Sequence, residues 1–269
     1  MRFLLTILLI SFSFGLKAQL EIKAEEYGLK GSIKSVLETE FQIIENYGRQ
    51  SESRRALLNF NSDGYKTYEK QMDAGGAMLF AVNFKYGNEN RLTEETNLDE
   101  KGNFSSKRTY KFENNILTVY SSDLAASIGK VTAKYHYSNL NVVKKEEFEN
   151  DGSYRRIYIF RYDGNGNKVF EIQKNDNADK GTEVRYYYDE YDRVIKKEDY
   201  DDSGKKTYQS AYRYDSKGNI ISETSSYVDS QDSITITYKY VYDKYDNWTE
   251  KSELMDDKLY SVILRRITY

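Results

Sequence analysis

Five glutamates at a fixed distance from an aromatic residue are the first candidates for chemistry in this sequence. Each follows a phenylalanine or tyrosine by nine residues, and the series is Glu69, Glu95, Glu146, Glu171 and Glu223. Paired carboxyl groups can cleave glycosidic bonds, but that reaction needs a pocket that gives the two groups unlike environments. A regular series predicts instead a row of charges on a sheet, paired with basic residues of the neighbouring strand. The residues diagonal to the glutamates would be Asn59, Lys85, His136, Arg161 and Arg213, four of which can carry a positive charge.

The single histidine gives little support for catalysis. His136 lies in the segment Lys134-Tyr135-His136-Tyr137, on its polar face. A serine hydrolase would have to be built around it, and the sequence lacks the Gly-x-Ser-x-Gly motif of many such enzymes. The chain has no cysteine, which excludes thiolate zinc sites, cysteine nucleophiles and disulfides. We therefore expect no catalytic residue and no enzyme.

Two segments rich in aspartate and asparagine resemble calcium-binding loops. They are Asp163-x-Asn165-x-Asn167 and Asn175-x-Asn177-x-Asp179. Neither has the glycine at the sixth position and the glutamate at the twelfth that a full loop needs. We therefore expect no metal site and no cofactor, with calcium bound at a turn as the alternative.

The aromatic residues that precede the glutamates belong to a longer repeat. An aromatic residue followed by a polar turn recurs at intervals of 25 to 28 residues. These landmark aromatics are Phe60, Tyr86, Phe112, Tyr137, Tyr162, Tyr188, Tyr214, Tyr242 and Tyr269. A period held over this length is typical of a repeat protein.

Each repeat reads as a β-hairpin. In one copy Tyr208, Tyr212 and Tyr214 alternate with polar residues, as on a half-buried strand, and the turn 215–219 leads into a more polar strand. The 27 tyrosines and the absence of proline also favour unbroken strands. We predict an all-β, repetitive antiparallel β-hairpin meander of about 18 strands, in a single curved or twisted sheet that is open or folded on itself.

The domain organisation is simple. Residues 1–18, with a short basic start and an apolar run, predict a signal peptide and hence export to the periplasm or the extracellular space. Residues 19–30 are expected to be irregular, and residues 31–269 to form one β-repeat domain with about eight 26-residue hairpins. The formal net charge of −3, with both signs interleaved, argues against nucleic acid as a partner.

The turn motif resembles that of a known family. Tyr214-Asp215-Ser216-Lys217-Gly218-Asn219 is similar to the repeat of the YD-repeat (Rhs-type) family, and three further landmark tyrosines keep the Tyr-Asp dipeptide. The resemblance implies a small secreted bacterial member of that family. Large members build β-sheet shells around toxic cargo, but this chain has no segment that corresponds to a cargo domain.

The aromatic stripe is the one candidate binding surface. On a sheet, residues at the same repeat position line up across strands, so the tyrosines form ladders on one face. This face is either the core or a platform that stacks a ligand such as a glycan. The candidate binding residues are Tyr212, Tyr214, Tyr240, Tyr242 and Trp248.

The sequence therefore predicts an exported, non-enzymatic interaction or scaffold surface for a protein or a glycan. The first alternative is an outer-membrane β-barrel, which fits the signal peptide, the alternating strands and the terminal Tyr269. Segments 144–147 and 196–199 place charges on both faces, however, and a lipid-facing lysine near the bilayer centre costs about 2–4 kcal/mol. We therefore expect no membrane insertion. A carbohydrate-active enzyme is the further alternative.

Overall fold

A computed structural model describes residues 22–44, 49–123, 129–149, 151–175, 178–230 and 232–269. Its described part forms one antiparallel sheet of 18 strands, which confirms the predicted all-β meander. The strands are β1 (Ser35–Ile44), β2 (Arg49–Phe60), β3 (Lys66–Asp73), β4 (Met78–Tyr86), β5 (Leu92–Leu98), β6 (Phe104–Glu113), β7 (Ile116–Asp123), β8 (Lys130–Ser138), β9 (Asn141–Phe148), β10 (Tyr154–Tyr162), β11 (Lys168–Lys174), β12 (Thr182–Tyr188), β13 (Val194–Tyr200), β14 (Lys206–Tyr214), β15 (Ile220–Tyr227), β16 (Ser233–Tyr242), β17 (Trp248–Met255) and β18 (Lys258–Thr268). The predicted signal peptide lies outside the described residues.

The sheet closes into a barrel, which corrects the expectation of an open or folded sheet. Strand β1 pairs with β2 on one side and with β18 on the other, and every other strand pairs with its two neighbours along the chain. The β1–β18 ladder runs from Ser35 opposite Thr268 to Gln42 opposite Ser261. Closure leaves no strand with an unpaired edge, because the first and last strands satisfy each other's backbone groups. The repeat period contains no signal for this closure.

The landmark aromatics point to the inside of the barrel. Side chains alternate between the two faces along each strand, and directly paired residues share a face. Buried apolar residues lie on the aromatic face, in a cluster of Leu117, Val119, Ala133, Tyr135, Val142 and Phe160 and in a second cluster near the N-terminus. The opposite face carries exposed side chains such as Ile159 and Val241.

Aspartate and asparagine side chains shape the turns. In the loop between β13 and β14, the Asp201 carboxylate accepts bonds from the backbone N–H of Ser203 and of Lys205, each at 3.0 Å. Gly204 then takes a φ of 83°, a conformation that favours glycine. Asp99, Asp163, Asp189, Asp215 and Asp243 accept from the second and fourth following residues in the same way.

The N-terminal segment, residues 22–34, is docked on the inside of the barrel at the end where β1 begins. It contains a 3-10 helix (Ala24–Tyr27). A second 3-10 helix (Asn88–Asn90) lies outside this segment, between β4 and β5. Leu29 and Ile33 pack against the inward-facing Leu58 and Phe60. The backbone of this segment is hydrogen-bonded to two strands. Lys66 N–H, at the start of β3, donates to Ile22 O at 2.7 Å, and Lys34 N–H donates to Thr268 O, at the end of β18, at 2.8 Å.

Asn247 joins this segment to the turn between β16 and β17. Its side chain is fully buried, accepts a bond from Lys30 N–H at 2.6 Å and donates to Lys30 O at 2.9 Å. It also donates to the Tyr269 hydroxyl at 2.8 Å. One side chain thus satisfies both backbone groups of Lys30 beside the seam where β18 meets β1.

Among the described residues no helix has the length and apolarity required to cross a bilayer.

Acid should weaken the barrel through its turns. The Ser203 hydroxyl and the backbone N–H of Lys205 lower the pKa of Asp201 below its ordinary value. Because the folded-state pKa is depressed, the stabilisation is complete above the unfolded-state pKa of about 3.9 and is lost as the pH falls below it. We expect Asp201→Asn to lower the urea midpoint at pH 7 and to lower it less at pH 3.

The neighbouring Asp202→Asn variant is the control, since Asp202 is exposed in the same loop. Its urea midpoint should stay near that of the parent protein at both pH values. An Asp201→Asn midpoint that falls equally at pH 3 and pH 7 would contradict the role given to the carboxylate.

Removing the Asn247 side chain should loosen the seam. Asn247→Ala leaves the N–H and C=O of Lys30 without these partners, and one such hydrogen bond contributes about 0.5–1.5 kcal/mol to the free energy of unfolding. Asn219 occupies the same turn position one repeat earlier and donates to the Tyr242 hydroxyl at 2.8 Å, away from the N-terminal segment. We expect thermal denaturation to show a larger decrease in melting temperature for Asn247→Ala than for Asn219→Ala. Equal losses would argue against the link to Lys30.

Candidate functional site

The inner wall of the barrel carries a series of ion pairs. Eight pairs with N–O distances between 2.6 and 3.4 Å join neighbouring inward-facing residues. They are Arg265–Glu38, Arg54–Glu40, Lys66–Glu69, Arg108–Glu95, Lys145–Glu147, Lys168–Glu171, Lys197–Asp199 and Lys251–Glu253. Ions are costly to place in a dry core, so a wall of this composition suits a water-filled lumen.

Tyrosine hydroxyls complete the backbone hydrogen bonding of this wall. In five repeats a tyrosine near the end of a strand donates to the carbonyl of the residue 20 positions earlier, at 2.6 to 2.8 Å. The pairs are Tyr86–Lys66, Tyr162–Val142, Tyr188–Lys168, Tyr214–Val194 and Tyr240–Ile220. Each acceptor lies at or next to the start of the adjacent strand. The hydroxyl there replaces a ladder bond, which explains why the repeat favours tyrosine over phenylalanine.

The predicted binding residues all lie on the inner wall. Tyr212, Tyr214, Tyr240, Tyr242 and Trp248 are half-buried, and their role in binding stays a prediction. Trp248 packs 6.1 Å from Tyr240, measured between ring centroids, and the Arg265 guanidinium lies 3.4 Å from its ring centroid. Since Arg265 is also bonded to Glu38 and to Tyr27 O, one face of the indole is occupied by a group of the chain itself.

The outer wall carries charged clusters as well as apolar residues. Glu198 points outward but is only 5 % exposed, because Lys196, Lys206 and the hydroxyls of Tyr187 and Tyr200 surround it. Glu146 and Glu94 sit in similar clusters, with His136 and Lys144 and with Lys85 and Lys107 respectively. Outside these clusters the exposed outward side chains include Ile159, Val241 and Leu264.

The glutamate series divides between the two faces. Glu69, Glu95, Glu171 and Glu223 face inward, whereas Glu146 faces outward. The reason is the short turn after Tyr137, which pairs with Val142, five residues on, whereas Tyr162 pairs with Lys168, six residues on. Of these five glutamates, only Glu146 bonds the residue expected diagonal to it, His136, at 2.6 Å.

Two lysines on the inner wall were missed in the sequence. Lys66 and Lys168 are 5 % and 6 % exposed, and each bonds a glutamate three residues later at 2.7 Å. A lysine directly after a turn, three residues before the repeated glutamate, is the sequence signal that could have identified them. Within the described residues, no cluster of three or more potential metal ligands is present.

Comparison with known proteins identifies a fold but no family. No family model matches the sequence, and no curated protein matches it. The crystal structure of a porin-like protein from Bacteroides uniformis ATCC 8492 is similar, with 12% identity and a TM-score of 0.50, over 89% of this chain and 99% of that one. A porin-like protein from Bacteroides vulgatus ATCC 8482 matches with 10% identity and a TM-score of 0.42, over 70% of this chain and 94% of that one. At these identities the first likeness shows a shared fold.

The expected membership of the YD-repeat family is wrong. No family model supports it, and the fold is that of a porin-like protein. The physical reason lies in the motif itself. In Tyr214 to Asn219 the Asp215 carboxylate caps the loop, Gly218 takes a φ of 88° and Asn219 donates to Asp215. These are requirements of a tight five-residue loop, so unrelated hairpins can share the motif.

Closure of the sheet supports the interpretation as an outer-membrane β-barrel better than the interpretation as an interaction surface on an open sheet. Only helices and closed barrels satisfy all their backbone groups within a bilayer, and an open sheet does not. The expectation of no membrane insertion is therefore overturned by the closed, porin-like barrel. That expectation treated the lysines of segments 144–147 and 196–199 as isolated ions, whereas Lys144 and Lys196 each pair with an outward glutamate and Lys145 and Lys197 face the inside.

The tyrosine hydroxyls can be tested with a matched pair of variants. Tyr188→Phe removes the 2.7 Å bond to Lys168 O and should reduce the free energy of unfolding by about 1 kcal/mol. Tyr137 stands at the same repeat position, but its buried hydroxyl has no partner among the described residues. Tyr137→Phe should therefore leave the free energy of unfolding unchanged or raise it in urea titrations. A loss at Tyr137 equal to that at Tyr188 would refute the role assigned to the hydroxyl.

Proposed function

We propose that this chain is an exported, porin-like β-barrel of the outer membrane, whose polar lumen admits small polar solutes. The observation that carries the proposal is a closed ring of 18 strands with ion pairs on its inner wall. Barrels of 16 to 18 strands hold an aqueous channel in porins, because their diameter exceeds what wall side chains can fill. The ion pairs on the inner wall support the same arrangement here.

The lumen is narrowed at one mouth in this proposal. The N-terminal segment lies on the inner wall, with Leu29 and Ile33 buried against Leu58 and Phe60. Tyr27 also bonds the Lys66 ammonium group at 2.8 Å, so the segment is attached to the wall by polar as well as apolar contacts. Solutes would pass beside this segment at the end where β1 begins.

The outward charged clusters are the main free-energy cost of embedding the barrel. A single lipid-facing lysine near the bilayer centre costs about 2–4 kcal/mol, and pairing offsets only part of the desolvation cost of two ions. Glu198 reduces this cost, because four hydrogen-bonding neighbours cover its carboxylate. The exposed outward side chains of Ile159, Val241 and Leu264 supply the apolar contacts with lipid.

The remaining functional expectations follow from the same proposal. The protein is not an enzyme, and its inner wall binds or passes solutes through tyrosine hydroxyls and ion pairs. A polar solute replaces the protein or glycan partner that the sequence suggested for an open aromatic face.

Cell fractionation tests the location. The full-length protein should sediment with outer membranes, resist carbonate washing and enter solution only with detergent. Recovery in the soluble periplasm or the culture medium without detergent would refute the proposal.

A charge scan separates the two faces. Ile159→Arg places a charge on the outer face near the middle of β10, and it should reduce the folded fraction in lipid vesicles, since such a residue costs about 2–4 kcal/mol near the bilayer centre. Gln173→Arg is the control, because Gln173 is paired with Tyr158 on the inner face and its new charge would meet the lumen. Equal folded fractions for the two variants in vesicles would contradict a lipid-facing outer wall.

A further inference from the structure

One inner-wall carboxylate differs from its counterparts in the other repeats. Glu69 and Glu171 each bond a lysine ammonium group at 2.7 Å, and that lysine stands directly after the preceding turn. Glu223 occupies the same repeat position, but the residue directly after its turn is Ile220. Within the described residues Glu223 forms no ion pair, and its two bonds go to hydroxyl groups.

The surroundings of Glu223 match those of Glu171 in other respects. Glu171 pairs across the sheet with Phe160, and the Tyr186 hydroxyl bonds its carboxylate at 3.3 Å. Glu223 pairs with Tyr212, and the Tyr238 hydroxyl bonds its carboxylate at 3.5 Å. In the first case the Lys168 ammonium group lies 5.4 Å from the Phe160 ring centroid and 4.6 Å from that of Tyr186. An aromatic ring on each side and a carboxylate therefore surround one ammonium group.

The hydroxyl contacts of Glu223 do not replace such an ammonium group. The bonds from Ser225 Oγ and Tyr238 OH are both 3.5 Å long, whereas a strong O–H bond to a carboxylate measures about 2.5–2.7 Å. The lysines on the flanking strands are held by other acids. Lys251 bonds Glu253 at 2.8 Å while it lies over the Tyr238 ring, and Lys197 bonds Asp199 at 3.1 Å.

We propose that Glu223, with Tyr212 and Tyr238, forms a site on the lumen wall for a ligand that carries a primary ammonium group. The ligand's ammonium group takes the place that the lysine ammonium takes beside Glu171, while the Ile220 side chain fills the position of the lysine stem. This inference rests on the proposed function only in requiring a lumen open to solvent. It deepens that function by giving the barrel a preference for amines over neutral solutes of the same size.

Propylammonium chloride, with propanol as its neutral match, is the probe for purified full-length protein in detergent. The Ile236 methyl signals report the site in NMR spectra, because Ile236 is paired with Glu223. We expect a saturable shift with propylammonium and none with propanol. Glu223→Gln should weaken this binding by about tenfold or more, as expected for the loss of a hydrogen bond to a charged group. No saturable shift in the parent protein would overturn the proposal.

Exchange of the repeat residues gives the sharpest comparison. Ile220→Lys supplies an internal ammonium group and should abolish the saturable shift, whereas the matched, uncharged Ile220→Met should retain it. Lys168→Ile should create a second site, reported by the methyl groups of Val184 opposite Glu171. A shift in Ile220→Lys equal to that of the parent protein would refute the assignment. Outer-membrane fractionation should be the same for all these variants, so failure of the amine site is distinguishable from failure of the barrel function.

Discussion

The pairing of β1 with β18 is the interaction on which the rest of the structure depends. Every strand has a row of backbone N–H and C=O groups along each of its two edges. In an antiparallel meander the first and the last strand each keep one such row unpaired. The ladder from Ser35–Thr268 to Gln42–Ser261 closes both rows at once. Closure defines an inside and an outside, and the alternation of side chains then yields an inner wall of aromatic, apolar and paired charged residues and an outer wall of charged and exposed apolar ones. Without it the tyrosines and ion pairs would line one face of an open sheet.

The seam differs from the other strand contacts because it joins residues more than 200 positions apart. Hairpin contacts form between neighbours in sequence, whereas the seam requires the whole chain to be in register. The N-terminal segment reinforces this point, with Lys30 bonded to Asn247 and the Arg265 guanidinium bonded to Glu38 and Tyr27 O. These contacts all join the two ends of the chain. The N-terminal segment therefore links the two strands that close the barrel, and it lies at the end of the barrel where β1 begins.

The strands and turns were predictable because their causes are local. Alternation around Tyr208, Tyr212 and Tyr214 identifies a strand, and Asp215 with Gly218 identifies its loop. Closure was not predictable, since no residue of a regular hairpin specifies whether the last strand meets the first. The division of the glutamate series between the two faces was also missed, because it depends on whether Tyr137 pairs with the residue five positions later, as it does, or with the one six positions later. Of the candidate site, the aromatic wall was predicted, while the lysines that neutralise Glu69 and Glu171 were not. Their role appears only when the register between strands is known.

Disulfide trapping at the seam tests the closed barrel most directly. Thr39 of β1 is the direct partner of Leu264 of β18, and the chain has no native cysteine to interfere. Directly paired residues of adjacent strands have Cα atoms within the range that a disulfide can bridge. A Thr39→Cys, Leu264→Cys double variant, oxidised at low protein concentration, should form an intramolecular disulfide in the monomer, whereas Thr39→Cys combined with Ser222→Cys should not. Free thiols or only intermolecular dimers in the first variant would contradict closure.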